Sequence, residues 1–279
     1  MSVQGSAGTA VGRAGSSDAL EHLARIGLIA YGLVHLLVGW LAVQLAWGGD
    51  SRPADQSGAL ATLAQQPLGT PLLWVLAVGL IALAFWQAAE ILRWRHGWSA
   101  SGTARTKALR KSGKAVVKAT VHLALAVLAI RFATGGGQNS SSTQQQTAAG
   151  VFGWPAGRWL VAAAGLVLLG VGAYHVYKGV TKHFLEEIDL SDCPPTATRL
   201  VTTLGQVGFP GKGVALALVG GLLGWAAVTF DPAKASGLDG ALHTVLLAPA
   251  GPILLTLVAL GIAAFGAFCL VRARYPERT

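Results

Sequence analysis

Five stretches of this chain, Ile26 to Trp47, Pro67 to Ala89, Trp159 to Tyr177, Gly213 to Phe230 and Thr244 to Val271, contain no Asp, Glu, Lys or Arg. Each is long enough to carry a helix across a hydrocarbon core, which takes roughly 20 residues at about 1.5 Å each. A sixth block, Ala119 to Ile130, is shorter. It spans only if Lys118 and Arg131 at its ends extend their charged heads toward the two interfaces. Charged residues make up 12% of the chain and hydrophobic ones 53%, whereas soluble domains carry about a quarter charged residues. The fold class this implies is all-α and integral to a membrane, with six transmembrane helices at 26–47, 70–92, 115–134, 156–177, 211–230 and 249–271.

The first 24 residues are small and polar and lack the apolar core of a cleavable signal. They read as a flexible tail, with the first spanning helix kept as an anchor. Lys and Arg near helix ends are retained on the cytoplasmic side. Both termini on that side leave only Arg52, Arg131, Arg158 and Lys234, of the 21 basic residues, on the other. The densest run is the loop 93–114, where Arg93, Arg95, Arg105, Lys107, Arg110, Lys111 and Lys114 suit contact with anionic lipid headgroups. That run explains most of the net charge of +9, and no aromatic–basic interleaving suggests a nucleic-acid partner.

The pattern repeats. Residues 25–92, 115–178 and 205–274 each read as an apolar helix, a polar outer loop and a second helix rich in Gly and Ala, so the unit is a helical hairpin used three times, in parallel. "GLVHLLVGWLAVQLA" echoes "ATVHLALAVLAIRFA", and "AGLVLLGVGAYHVYKG" echoes "ALGIAAFGAFCLVRARY". The outer loop 135–150, uncharged and rich in Gly, Ser and Gln, reads as a flexible tether. The linker 179–204 carries Phe184, Leu185, Ile188 and Leu190 among charged residues and reads as a short amphipathic helix at the interface, before the Pro194–Pro195 break. Residues 275–279 form a C-terminal tail.

The three first helices open on short Gly-containing turns ("ARIGLIAYGLV", "RKSGKAVVKATV", "TLGQVGFPGKGV"), and "YKGVTKHFLEEIDLS" joins the second and third hairpins. In these features the chain, from Arg25 to Tyr275, resembles the bacterial membrane family catalogued as domain of unknown function 1206. The resemblance implies six helices in a bacterial cytoplasmic membrane and brings no catalytic residue, substrate or cofactor with it. The third hairpin departs from the first two in lacking the histidine of their "VHL" tripeptides.

The candidate intramembrane polar residues are His35, Gln87, Glu90, His122, Tyr174 and His175. His35 shares a stripe with Gly32 and Gly39, and His122 with Ala119, Ala126 and Ala129. Small-residue faces are those by which membrane helices approach, so both histidines face protein. Interhelical hydrogen bonding is the first reading, worth about 0.6 to 2 kcal/mol. A proton or substrate path is the second, and haem ligation by His122 with His175 the third. Glu90 reads as an interfacial ion pair with Arg93. His183, Glu186, Glu187, Asp189, Asp192 and Cys193 have the residue types of a metal site without a recognised ligand spacing, and read as a solvated face. No P-loop, GxSxG or HExxH is present. The expectation is a non-enzymatic membrane protein without cofactor or metal, a structural or accessory subunit with a membrane-protein partner. A small transporter or channel is the alternative, and a haem-binding electron carrier stands behind it.

Overall fold

A computed structural model describes residues 4–49, 52–188 and 193–275, with the side chains of residues 4–24, Glu90, Arg93 and His96 outside that description. Nine α-helices follow in order among the described residues: α1 (Gln4–Ala46), α2 (Gln56–Ala64), α3 (Gly69–Trp94), α4 (Gly102–Ala133), α5 (Ser140–Phe152), α6 (Gly157–Val180), α7 (Pro195–Thr229), α8 (Gly237–Leu246) and α9 (Gly251–Arg274). The pattern is long, short, long, three times over. The long helices α3, α4, α6, α7 and α9, and α1 from Arg25, are apolar and long enough to cross a membrane.

Several boundaries differ from the sequence reading. Helix α1 begins at Gln4, inside the expected tail. The basic stretch expected as a loop is helical from Gly102 onward and forms the first half of α4. At 1.5 Å per residue, α4 is about 48 Å long against roughly 30 Å of hydrocarbon, so its basic half stands outside the core. Much of the expected Ser/Gln tether is α5. Asn139 caps it by accepting from the Ser141 N–H at 2.9 Å, and Ala148 and Phe152 bury against Ala226, Ala227 and Ala235. Propensity alone would not hold this segment; its apolar end, Ala148, Val151 and Phe152, packing on α7 and the loop beyond it does. In the linker, the expected amphipathic helix is a 3-10 turn, His183–Glu187. Phe184 does not face lipid: it is fully buried, stacked 5.3 Å from Phe209 and edge-on 5.4 Å from Phe268.

Each second long helix starts at the same turn. Pro67-Leu68-Gly69, Pro155-Ala156-Gly157 and Pro249-Ala250-Gly251 each close with the glycine N–H donating back three residues, to Gln66, Trp154 and Ala248 at 2.8, 2.9 and 2.8 Å. A methyl group on any of these glycines would run into the backbone carbonyl of Leu63, Val151 or Leu246. The turn thus needs glycine for want of space.

The long helices associate through paired small residues, as expected where lipid supplies no hydrophobic drive between helices. A methyl on Gly32 of α1 would lie 2.7 Å from the Gly266 carbonyl oxygen of α9, and one on Gly39 would lie 2.9 Å from that of Ala259. The same arrangement recurs between α7 and α6, where Gly213 meets Gly172 at 2.6 Å and Gly220 meets Gly165 at 2.8 Å. In both joints the contacts recur every seven residues, the spacing of helices crossing at a shallow angle. Helix α4 carries Ala119 and Ala126 in the same register and packs on α3.

In packing order the long helices run α4, α3, α1, α9, α7, α6. Within the repeats, α1 packs on α3 and α7 on α9, whereas α4 and α6 do not pack along their length. They are joined near one end, where Lys114 Nζ donates to the Tyr174 hydroxyl at 3.0 Å. The bundle is a ring left open between α4 and α6. At the far end the short helices tie the repeats: the Ala54 N–H donates to Asp239 at 2.7 Å and the Ser140 N–H to Ser57 Oγ at 3.1 Å.

Candidate functional site

The register that aligns Gly32, Ala119 and Gly213 also aligns Tyr31, Lys118 and Lys212, one residue earlier in α1, α4 and α7. It aligns His35, His122 and Leu216 one turn further on. The third repeat therefore replaces the missing histidine's polar character with a lysine four residues before it. Lys212 Nζ donates to the Tyr31 hydroxyl at 2.7 Å and lies 3.9 Å from the centre of the Phe265 ring and 5.0 Å from that of Tyr31. The Tyr31 ring is 4.3 Å from His35 and 5.3 Å from His122, centre to centre. Lys212 thus ties α7 to α1 through Tyr31 and to α9 through Phe265. Lys212 is the hub of this cluster.

The histidines are already engaged. His35, buried, donates from Nδ1 to the Tyr31 carbonyl at 2.9 Å and lies 5.1 Å from Phe265. His122 donates from Nδ1 to Gln87 Oε1 at 3.0 Å, an interhelical bond between α4 and α3. His175 donates to the Val171 carbonyl at 2.8 Å and stacks on Phe209 at 5.9 Å. A backbone carbonyl can only accept, so the Nδ1 atoms of His35 and His175 carry the proton. Among the described residues, no ring contact pairs His122 with His175, and no group of three or more His, Cys, Asp or Glu converges as a metal site.

One layer toward the chain ends lies an ion-pair triad. Glu187, the last residue of the 3-10 turn, meets Lys178 of α6 and Arg272 of α9, the latter at 2.7 Å. Burial alone would push the Glu187 carboxyl up, but Arg272 and then Lys178 and Lys118 hold it down at about 2. Of the acidic linker cluster, Glu187 thus turns inward and fastens the linker to two spanning helices. His183 and Glu186 remain exposed, 3.3 Å apart, while Asp189 and Asp192 lie outside the described residues. The side chains of Glu90 and Arg93 also lie outside them.

The other basic positions, Arg95, Arg105, Lys107, Arg110, Lys111 and Lys114, are exposed on α4 and the turn before it. Lys111 lies over Trp94 at 4.9 Å and Lys114 over Tyr174 at 4.7 Å. At the opposite end of the bundle, Asp55 caps α2, accepting from Ser57 N at 2.8 Å and Gly58 N at 3.1 Å. Burial raises its carboxyl above the ordinary value in spite of these bonds.

Sequence reasoning found Gln87, His122, Tyr174 and His175 separately, and the structure joins the first two. It missed Lys212, Tyr31 and the Lys178–Glu187–Arg272 triad. The signal for Lys212 was its register with Lys118, which a search for a third histidine passes over. The signal for the triad was Lys178 and Arg272 at matched positions of "AYHVYKG" and "AFCLVRA".

Six apolar helices of crossing length, associated through small residues, define a multi-pass membrane protein. The chain belongs to the family described as Domain of Unknown Function (DUF1206), whose model matches it three times, at residues 26–90, 113–182 and 207–276. It is similar to a Bacillus subtilis (strain 168) protein described as uncharacterized protein YxxB, at 30% identity over 260 residues, covering 93% of this chain and 92% of that one. No solved structure gives a significant match.

Proposed function

We propose that this protein is a non-enzymatic structural or accessory subunit of a larger assembly in a bacterial cytoplasmic membrane, built as three parallel hairpins with both termini cytoplasmic. The observation that carries the reading is the engagement of the intramembrane histidines: each spends Nδ1 on a helix carbonyl or on Gln87. The His122–Gln87 bond fastens α4 to α3, as polar groups do between helices in lipid, whereas His35, against the interhelical expectation, and His175 bond within their own helices, to carbonyls four residues back. The orientation is supported by the positive-inside bias, since the basic half of α4 and the ends of α6 and α9 lie on one side. The bacterial setting is supported by the Bacillus subtilis relative. Mild-detergent purification from native membranes tests the role. A membrane protein recovered in fixed ratio is the expected result, and a chain recovered alone after cross-linking in intact membranes overturns it.

A path between the hairpins is the second reading, favoured by the unpacked α4–α6 edge. It requires solute or ion flux in proteoliposomes that His122→Ala abolishes without loss of folding.

A further inference from the structure

We infer that the opening between α4 and α6 binds the phosphate of an anionic lipid headgroup, held by Lys118 and Lys212 with Lys114 and Tyr174 at the rim. The inference is independent of the accessory role. The first support is charge. Lys212 Nζ donates to the Tyr31 hydroxyl, the Tyr31 ring lies 5.3 Å from that of His122, and Lys118 stands one turn before His122 on α4, so both lysines border the Tyr31–His122 contact. Neither is in a salt bridge with a carboxylate among the described residues, because Glu187 is held by Lys178 and Arg272. Lys212 has a hydroxyl and two aromatic rings for company. A cation at the edge of a low-dielectric layer with no counter-charge is costly, and an anion seated between the lysines offsets that cost.

The second support is shape. The ring of helices opens only along α4 and α6, so a ligand enters sideways from the bilayer. The α6 stripe bearing Tyr174 continues one turn deeper as Gly170, which has nothing within 4 Å of a built methyl group, and then as exposed Val167. On α4 the stripe of Lys114 and Lys118 continues as exposed Val121. Lysines at the level of the headgroups above an apolar slot match a phosphodiester carrying acyl chains, whereas a free phosphate has no use for the slot. A transmembrane helix of a partner would fill the slot and leave the lysines uncompensated.

The test is lipid retention by native mass spectrometry of the full chain after exchange into mixed vesicles of phosphatidylglycerol and phosphatidylcholine. The expected result is preferential retention of phosphatidylglycerol, falling about fivefold for Lys118→Gln, the worth of one basic residue at an anionic surface, and further for the Lys118→Gln/Lys212→Gln pair. Lys234→Gln, exposed at the opposite end of the bundle beside Asp231, should leave retention unchanged. Lys118 is exposed, so its substitution leaves the packed interior intact and decides the matter alone if Lys212→Gln fails to fold. Equal retention of the two lipids, equal loss in the control, competition by inorganic phosphate, or a co-purifying protein helix with indifference to lipid would each overturn the proposal.

Discussion

At Glu187, one carboxylate is asked to hold three segments: the linker, the end of α6 through Lys178 and the end of α9 through Arg272. Its folded-state value of about 2 lies below the ordinary 4.5. A depressed carboxyl contributes stability that is fully present above its unfolded value and lost as pH falls through the folded one. The purified protein should therefore lose thermal stability as pH falls from about 4.5 toward about 2, and Glu187→Gln should be less stable at neutral pH and show a flatter profile in that window. Intrinsic-fluorescence melting over a pH series reads both, and parallel profiles for the two proteins would contradict the triad. The His122–Gln87 bond makes a second prediction. A double-mutant cycle with His122→Ala and Gln87→Ala should return a coupling of about 0.6 kcal/mol, and not more than about 2, as measured for hydrogen bonds between membrane helices. Additive effects would mean the bond contributes nothing.

Among the elements, the helix joints rest on glycine pairs whose methyl groups have no room. Gly172→Val should lower stability by about 1 to 3 kcal/mol, the range for overpacking a closed interface, because its side chain meets the Gly213 carbonyl. Gly221→Ala, on the same pair of helices but facing open space, should be neutral or slightly stabilising, since alanine is the better helix former. Unfolding midpoints in detergent separate the two, and equal effects would contradict the packing. The spanning helices were legible because lipid excludes charge, and the blocks without Asp, Glu, Lys or Arg mark them directly. Helix α5 was not legible, because Ser140 to Thr147 has the composition of a tether and the apolar packing of the helix is confined to its end, at Ala148, Val151 and Phe152. The Pro-x-Gly turns before α3, α6 and α9 were legible and easily overlooked, since they recur at the spacing of the repeat and not within any one hairpin. The open edge between α4 and α6 was not legible: both carry small-residue faces, and the sequence does not say that these are spent on α3 and α7.

For the molecule as a whole, three long-short-long repeats build a ring that is closed at every joint but one, with lysines, a tyrosine and histidines on its inner side at one end. The proposed orientation, both termini cytoplasmic, predicts that a cysteine placed at Ser140 reacts with a membrane-impermeant thiol reagent in intact cells, and one at Thr103 only after permeabilisation. The reverse pattern would invert the topology. The proposed function requires that the polar hub around Tyr31, His35, His122 and Lys212 join helices and not conduct. Parallel measurement of melting temperature and of proton and potassium flux in proteoliposomes, for wild type, His35→Ala and His122→Ala, separates joining from conduction. A joining role gives lower melting temperatures in both variants and no flux above empty vesicles in any sample; wild-type flux that both variants abolish at unchanged melting temperature would overturn it.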